Sequence, residues 1–228
     1  MKTKYIAMAM AVMLAGLTFA SCTKDVDDEV PQPSRWVDLG LPSGLLWARC
    51  NVGASTPEGY GDYYAWGETT TKSNYNWNTY RYSNNEGLLD KYCSRPLYGR
   101  FHFTDTLTIL EPDDDAATAL ISNWARIPTK SEWQELIDNT TAEWTTLNGV
   151  KGRLFTAPNG NSLFLPAAGM HQDRELDSDG VDGNYWSSSL ETSYPIDAWR
   201  LDFSSEFLGI NSARRYNGFS IRAVRNAQ

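Results

Sequence analysis

Histidine and cysteine are scarce, at two and three in 228 residues. Zinc and haem centres are built from clustered His and Cys, so neither has much to draw on. Basic side chains are also in deficit, 20 against 28 acidic, for a net charge of -8. A nucleic-acid binder needs clustered Lys and Arg to face phosphates, and this balance argues against nucleic acid as a partner. No Gly-x-Ser-x-Gly elbow is present, and few histidines are available to serve as base to a serine nucleophile in Trp186-Ser187-Ser188-Ser189. What the chain has in excess is aromatic surface: 13% of residues, with nine Trp and twelve Tyr. At 41% hydrophobic and 21% charged it is globular, with enough chain for a sizeable core.

The long apolar run, Ile6 to Ala20, follows Lys2 and Lys4 and is too short for a stable membrane-spanning helix. It reads as a targeting segment, residues 1–21, outside the fold. Phe19-Ala20-Ser21-Cys22 resembles a bacterial lipobox, with Phe19 where the pattern prefers Leu. Cys22 is then the lipidated N-terminus, and the lipid is the only membrane contact expected. The other reading is an ordinary secretory signal followed by an unrelated Cys. Residues 22–34 contain Asp25, Asp27, Asp28, Glu29, Pro31 and Pro33, a polar acidic stretch that buries no apolar area and is expected to be a flexible tether. Acidic residues just after a lipid Cys resemble the surface-export signal of Bacteroidetes lipoproteins; a solvated spacer facing the periplasm is the alternative. Removing residues 1–21 leaves 18 basic against 28 acidic side chains. In an oxidising compartment Cys50 and Cys93 are a possible disulfide, or two free thiols.

No linker or fixed-period repeat interrupts residues 35–228, which read as one domain. Short apolar stretches bounded by Gly and Pro at 36–48 suggest strands and turns. Residues 67–100, with Asn among Tyr and Trp, suggest a long ordered surface excursion. Two helices are predicted. One follows Asp113-Asp114-Asp115, whose carboxylates oppose the helix dipole. The other begins at a capping box, Thr129 with Glu132, and places Trp133, Leu136 and Ile137 on one face. Leu154–Thr156 and Ser162–Leu165 flank Pro158-Asn159-Gly160-Asn161, a hairpin signal. Trp199, Leu201 and Phe203 alternate with Arg200 and Asp202; Phe219, Ile221 and Ala223 alternate with Ser220, Arg222 and Val224. The fold class is α+β, with two helices, short, mostly antiparallel strands and long surface loops.

These segments, in order, resemble the Fibrobacter succinogenes major paralogous domain of Bacteroidetes surface lipoproteins. The matching stretches are VDLGLPSGLLWARCNVGA (37–54), GYGDYYAWGET (59–69), EPDDDAA (111–117), ARIPTKSEW (125–133), FLPAAG (164–169), YWSSS (185–189) and GFSIRAVR (218–225). The resemblance implies a C-type-lectin-like fold akin to the formylglycine-generating enzymes. The oxidase chemistry of that kin needs a cysteine pair late in the chain, and no cysteine follows Cys93. The His-rich iron site of the sulfoxide synthases has only His102 and His171 to draw on. Glu111-Pro112-Asp113 matches a lectin calcium loop superficially, but it precedes a helix and no Trp-Asn-Asp follows, so it reads as a helix start.

Asp177, Asp179 and Asp182, with Gly180 and Gly183, form an acidic loop that could wrap calcium, although the spacing departs from the EF-hand. Trp186, Tyr194, Arg214, Arg215, Tyr216 and Asn217 are the candidate ligand contacts, since exposed aromatics and guanidiniums stack on sugar faces and anchor protein contacts. The expectation is a non-catalytic, cell-surface lipoprotein anchored in the outer membrane. It would recognise a glycan or protein ligand on a host or neighbouring cell. The alternative is a structural subunit of an envelope or fimbrial assembly. No cofactor is expected, apart from a possible calcium.

Overall fold

The Pro158-Asn159-Gly160-Asn161 stretch folds back as its composition predicts. In the computed structural model, which describes residues 34–84 and 86–227, it joins β4 (Val150–Thr156) to β5 (Ser162–Pro166) with Thr156 opposite Ser162. Gly160 takes φ +86, a conformation that costs glycine little. A second Asn-Gly pair, not singled out from the sequence, joins β3 (Thr141–Leu147) to β4. Asn148 and Gly149 both have positive φ (49 and 87), the two-residue turn whose twist matches the flanking strands. The amides of Asn159 and Asn161 then donate to the carbonyl of Asp38, at 3.0 and 2.7 Å, docking the hairpin on β1 (Trp36–Asp38).

The terminal segments meet in a sheet of order β1, β2 (Leu45–Ala48), β11 (Val224–Asn226). A short ribbon pairs β6 (Met170–Gln172) with β7 (Glu175–Asp177). The third sheet, β8 (Gly183–Leu190), β9 (Asp197–Phe203) and β10 (Leu208–Arg214), is the centre of the fold. All of these strand pairs are antiparallel. Every residue of β8 is buried, because side chains alternate across a strand and β8 lies between two cores. Tyr185 points into one core, with Trp47, Trp133, Phe155 and Phe203. Trp186 points into the other, with Trp66, Tyr80, Tyr92 and Phe219.

Both predicted helices form. α2 (Lys130–Asp138) starts at the capping box of Thr129 and Glu132, and buries Trp133 and Leu136. α1 (Ala116–Leu120) is only five residues long and is capped by Asp115, whose side chain accepts from Ala117 and Thr118 and also from the amide of Ile127. Pro112–Asp114 forms a 3-10 turn before it, so Glu111-Pro112-Asp113 does open a helical segment. The architecture is therefore α+β with two helices and short antiparallel strands.

Three local expectations need correction. Residues 67–100 are an irregular excursion, but their aromatic side chains face inward: Tyr75, Tyr80, Tyr82 and Tyr92 are buried. Their hydroxyls donate to main-chain oxygens or to Asp114, and those bonds replace a strand ladder in holding the segment. The stretch 218–224 was expected to alternate between a core face and a polar face, yet all of it is buried. Arg222 lies inside, donating from Nε to Asn51 Oδ1 at 2.9 Å and from Nη1 to the carbonyls of Ala48 and Arg49. In β9, Leu201 and Phe203 are buried, whereas Trp199 is partly exposed with Lys130 Nζ 3.1 Å from its ring centroid.

Asp114 ties the excursion to the helical segment. It accepts from Lys91 Nζ and Tyr92 Oη, each at 2.6 Å, and from Tyr82 Oη. Burial works to raise its pKa, but the donors from Lys91, Tyr82 and Tyr92 prevail and hold it below the ordinary carboxylate value. A depressed folded pKa contributes stability above the unfolded value that is lost as pH falls. Asp114→Ala is expected to cost about 2 to 3 kcal/mol at neutral pH, since it leaves the hydroxyls of two buried phenols without their acceptor, while Lys91 keeps its second partner, Glu111, at 2.6 Å. Urea titration at neutral and acid pH checks this: the difference between variant and parent should shrink on acidification.

Candidate functional site

A polar cleft opens where β6, β8, β9 and the β9–β10 turn come together. It has a volume of about 300 Å3, and its lining includes Asp182, Asn184, Arg200, Asp202, Ser204 and Phe207. That is at the small end of the range for ligand pockets. Its floor is set by the strands. Arg200 and Asp202, two apart on β9, project from the same side, and Asn184 on β8 lies directly opposite Asp202 in the register. Its rim is the acidic loop. Asp182 N donates to Ser178 O at 2.9 Å and Gly180 N to Ala167 O at 2.7 Å, so the loop is closed by its own main chain. Gly169, at φ +67, lets that loop approach, since a Cβ there would lie 2.2 Å from Asp177 O.

Arg200 donates from Nη2 to Asp202 Oδ2 at 3.0 Å, and Asn211 Nδ2 donates to the same oxygen at 3.1 Å. Arg200 Nε is buried with no partner. Burial pulls the guanidinium below its ordinary pKa, while Asp202, and Asp182 farther off, oppose that pull. Asn184 Nδ2 donates to Gly169 O at 3.2 Å, which orients the amide. Phe207, 46% exposed, supplies an apolar wall. The cleft thus offers carboxylate acceptors, a guanidinium donor, hydroxyls and a ring face, a set suited to a polyhydroxylated ligand.

The sequence-derived site residues fare unevenly. The calcium grouping is not assembled. Asp177 lies in β7, Asp179 acts on Tyr60, and Asp182 turns into the cleft. Among the described residues no three His, Cys, Asp or Glu side chains form a metal-holding group.

Trp186 and Arg215 cannot meet a ligand, because both are 0% exposed. Trp186 Nε1 donates to Tyr64 O at 2.7 Å, and Arg215 is bonded to the main chain of the excursion. Asn217 is buried too, with an unpartnered Oδ1. Tyr194 (57% exposed) and Arg214 do reach the surface and meet around Asp197. Arg214 Nη1 donates to Asp197 Oδ1 at 2.5 Å, and Asp197 N to Tyr194 O at 2.8 Å. Tyr216 is half-buried, edge-on to Trp77 at 4.9 Å. This patch and the cleft lie at opposite ends of β9, about 17 Å of strand apart.

Cys50 and Cys93 are free thiols, not a disulfide. Cys93 is buried, with its Sγ 3.2 Å from Arg95 O, and burial raises the pKa of both thiols. Cys22 lies outside the described residues. His171 packs between Tyr63 and Tyr75, with ring centroids at 4.7 and 5.4 Å, and burial lowers its pKa.

The cleft residues that sequence reasoning passed over are Asn184, Arg200, Asp202, Ser204 and Phe207. A signal for two of them was present. Arg200 and Asp202 form the polar face of a strand whose other face carries Leu201 and Phe203. Comparison with known proteins finds no matching family model, no matching curated protein and no matching solved structure.

Proposed function

We propose that the chain is the binding domain of an exported lipoprotein, lipidated at Cys22, which recognises a glycan in the Asp182–Arg200–Asp202 cleft without calcium and without catalysis. The observation that carries this reading is the cleft itself: opposed charges, an orienting amide and a half-exposed phenyl ring within about 300 Å3. Arg200 supplies the only basic group in the lining, and no third carboxylate joins Asp182 and Asp202 there. The sequence stretches that resemble the Fibrobacter succinogenes major paralogous domain support a C-type-lectin-like fold and outer-membrane display at the cell surface. Protease shaving of intact cells tests the placement, and full protection would overturn it.

The test of the site is a glycan array probed with mature chain carrying Cys22→Ser, in calcium and again in EDTA. Binding should be equal in the two buffers. Asp182→Ala should weaken it at least tenfold, the size expected when a hydrogen bond to a charged group is removed. Loss of binding in EDTA, or Asp182→Ala binding like the parent, would overturn the assignment.

One observation favours the second reading, a subunit of an envelope or fimbrial assembly. Leu97 and Phe101 are 78% and 88% exposed on adjacent 3-10 turns, Pro96–Tyr98 and Arg100–His102. Co-purification with envelope proteins that Phe101→Ser abolishes would support that reading over the glycan.

A further inference from the structure

A second cleft, of about 340 Å3, differs from the first in charge: Arg126 and Arg225 line it, and no acidic residue does. In a chain of net charge -8 that is a local reversal. Arg126 is already neutralised, held by Glu132 through two bonds of 2.7 and 2.6 Å. Arg225 is not. None of the ion pairs among the described residues includes it, and its Nε is buried without a hydrogen-bond partner.

Its position is fixed by main chain. β11 pairs Arg225 with Leu46 of β2, and the segment before α2 pairs through Arg126 and Val224, with bonds of 3.0 and 2.9 Å. That pairing sets Trp124 against the guanidinium at 5.0 Å, and Trp36 of β1 lies 5.3 Å away. The two indoles meet edge-on at 5.5 Å, and Trp124 stays 47% exposed. Indole faces attract a cation but accept none of its N–H bonds in the plane of the guanidinium. The planar fork therefore retains its capacity for two parallel bonds to one carboxylate. A half-exposed indole beside it offers a flat face to an apolar ring surface. The side chains of Asn123 and Asn226 at the rim supply amides for hydroxyls.

We propose that the Arg225–Trp124 cleft is a second binding site, taking the carboxylate of an acidic sugar on Arg225 and the ring face of that sugar on Trp124. The site shares no lining residue with the Asp182 cleft and stands independently of it.

The test uses the mature chain with Cys22→Ser, titrated by calorimetry with methyl β-glucuronide and with methyl β-glucoside, its neutral counterpart. The glucuronide should bind at least tenfold more tightly. Trp124→Ala, a change at a half-exposed position that leaves the core intact, should weaken it tenfold or more, and Arg225→Gln should erase the preference for the acid. Asp182→Ala should leave this binding unchanged, which separates its failure from failure of the first site. Equal binding of the two glycosides, binding of neither, or indifference to Trp124→Ala would overturn the proposal. So would glucuronide binding that emerges only when Asp25, Asp27, Asp28 and Glu29 are replaced by their amides, since the site would then belong to the chain's own carboxylates.

Discussion

Arg215→Met is expected to destabilise the domain by about 3 to 5 kcal/mol, a large part of the 5–15 kcal/mol typical of a folded domain. The side chain is 0% exposed, and none of the ion pairs among the described residues includes it. Its charge is met instead by dipoles and ring faces. Nε donates to Tyr80 Oη at 2.8 Å, and Nη1 to the carbonyls of Lys91, Tyr92 and Pro195 at 3.2, 3.1 and 3.0 Å. The guanidinium carbon sits 4.8 Å from the Trp66 ring centroid and 5.1 Å from that of Tyr80. Removing the fork leaves acceptors in a dry interior, each costing about 1–3 kcal/mol where no water replaces the donor. Lysine keeps the charge but not the planar fork, so Arg215→Lys should fall between methionine and the parent. The neighbouring Arg214→Met is the control. Arg214 is an exposed arginine with one ion pair, and its loss should cost less than about 1 kcal/mol. Urea unfolding followed by tryptophan fluorescence reads all three. A loss below about 1 kcal/mol for Arg215→Met would show that the excursion does not depend on this side chain.

That contrast between adjacent arginines shows where sequence reasoning reaches and where it stops. Arg214 ends β10, and residues next to each other along an extended chain point to opposite sides, so one faces water and the other faces the Tyr80–Tyr92 segment. The alternation is local and readable; which side is covered depends on residues 80–92, far away in sequence. The same distinction separates the features that could be read from those that could not. The Thr129–Glu132 capping box and the Asn159-Gly160 hairpin rest on interactions a few residues apart, and both form as predicted. Asp182 was legible as part of an acidic loop, but its partners Arg200 and Asp202 arrive through strand pairing. The excursion at 67–100 was read as surface because Asn is scattered among its Tyr and Trp. Its tyrosines face inward only because Trp66, Asp114 and Arg215 are there to bond their hydroxyls. Trp186 followed the same logic: its indole N–H finds Tyr64 O across the core, a contact no local pattern encodes.

Those inward tyrosines set the alkaline limit of the fold. Burial raises the pKa of Tyr63, Tyr64, Tyr80, Tyr82 and Tyr92 well above the ordinary phenol value, and bonds to Asp114 raise it further for Tyr82 and Tyr92. Burial pushes Tyr185 up to about 12, with Arg222 pulling the other way. A group whose folded pKa exceeds its unfolded value contributes stability that is complete below the unfolded value, about 10 for a phenol, and is lost as pH rises through the folded one. For Tyr185 alone the gap is worth roughly 3 kcal/mol. Arg222 acts in the opposite sense. Burial lowers its pKa to about 10, so its charged form is a penalty below that pH, and the penalty is relieved as the group neutralises. Burial lowers Lys72, Arg153 and Arg200 in the same sense, and the six raised phenols outnumber these four cations. Stability measured by urea titration should therefore hold level from about pH 7 to about pH 9 and fall steeply above about pH 10. The share of tyrosinate absorbance that comes from these six phenols should rise in step with unfolding and not ahead of it. Tyr92→Phe should flatten the alkaline slope while costing stability at neutral pH, because Asp114 loses a donor. Ionisation of all six near pH 10 in a chain that stays folded would show that these side chains are open to water, and the reading of the excursion as core would fail with them.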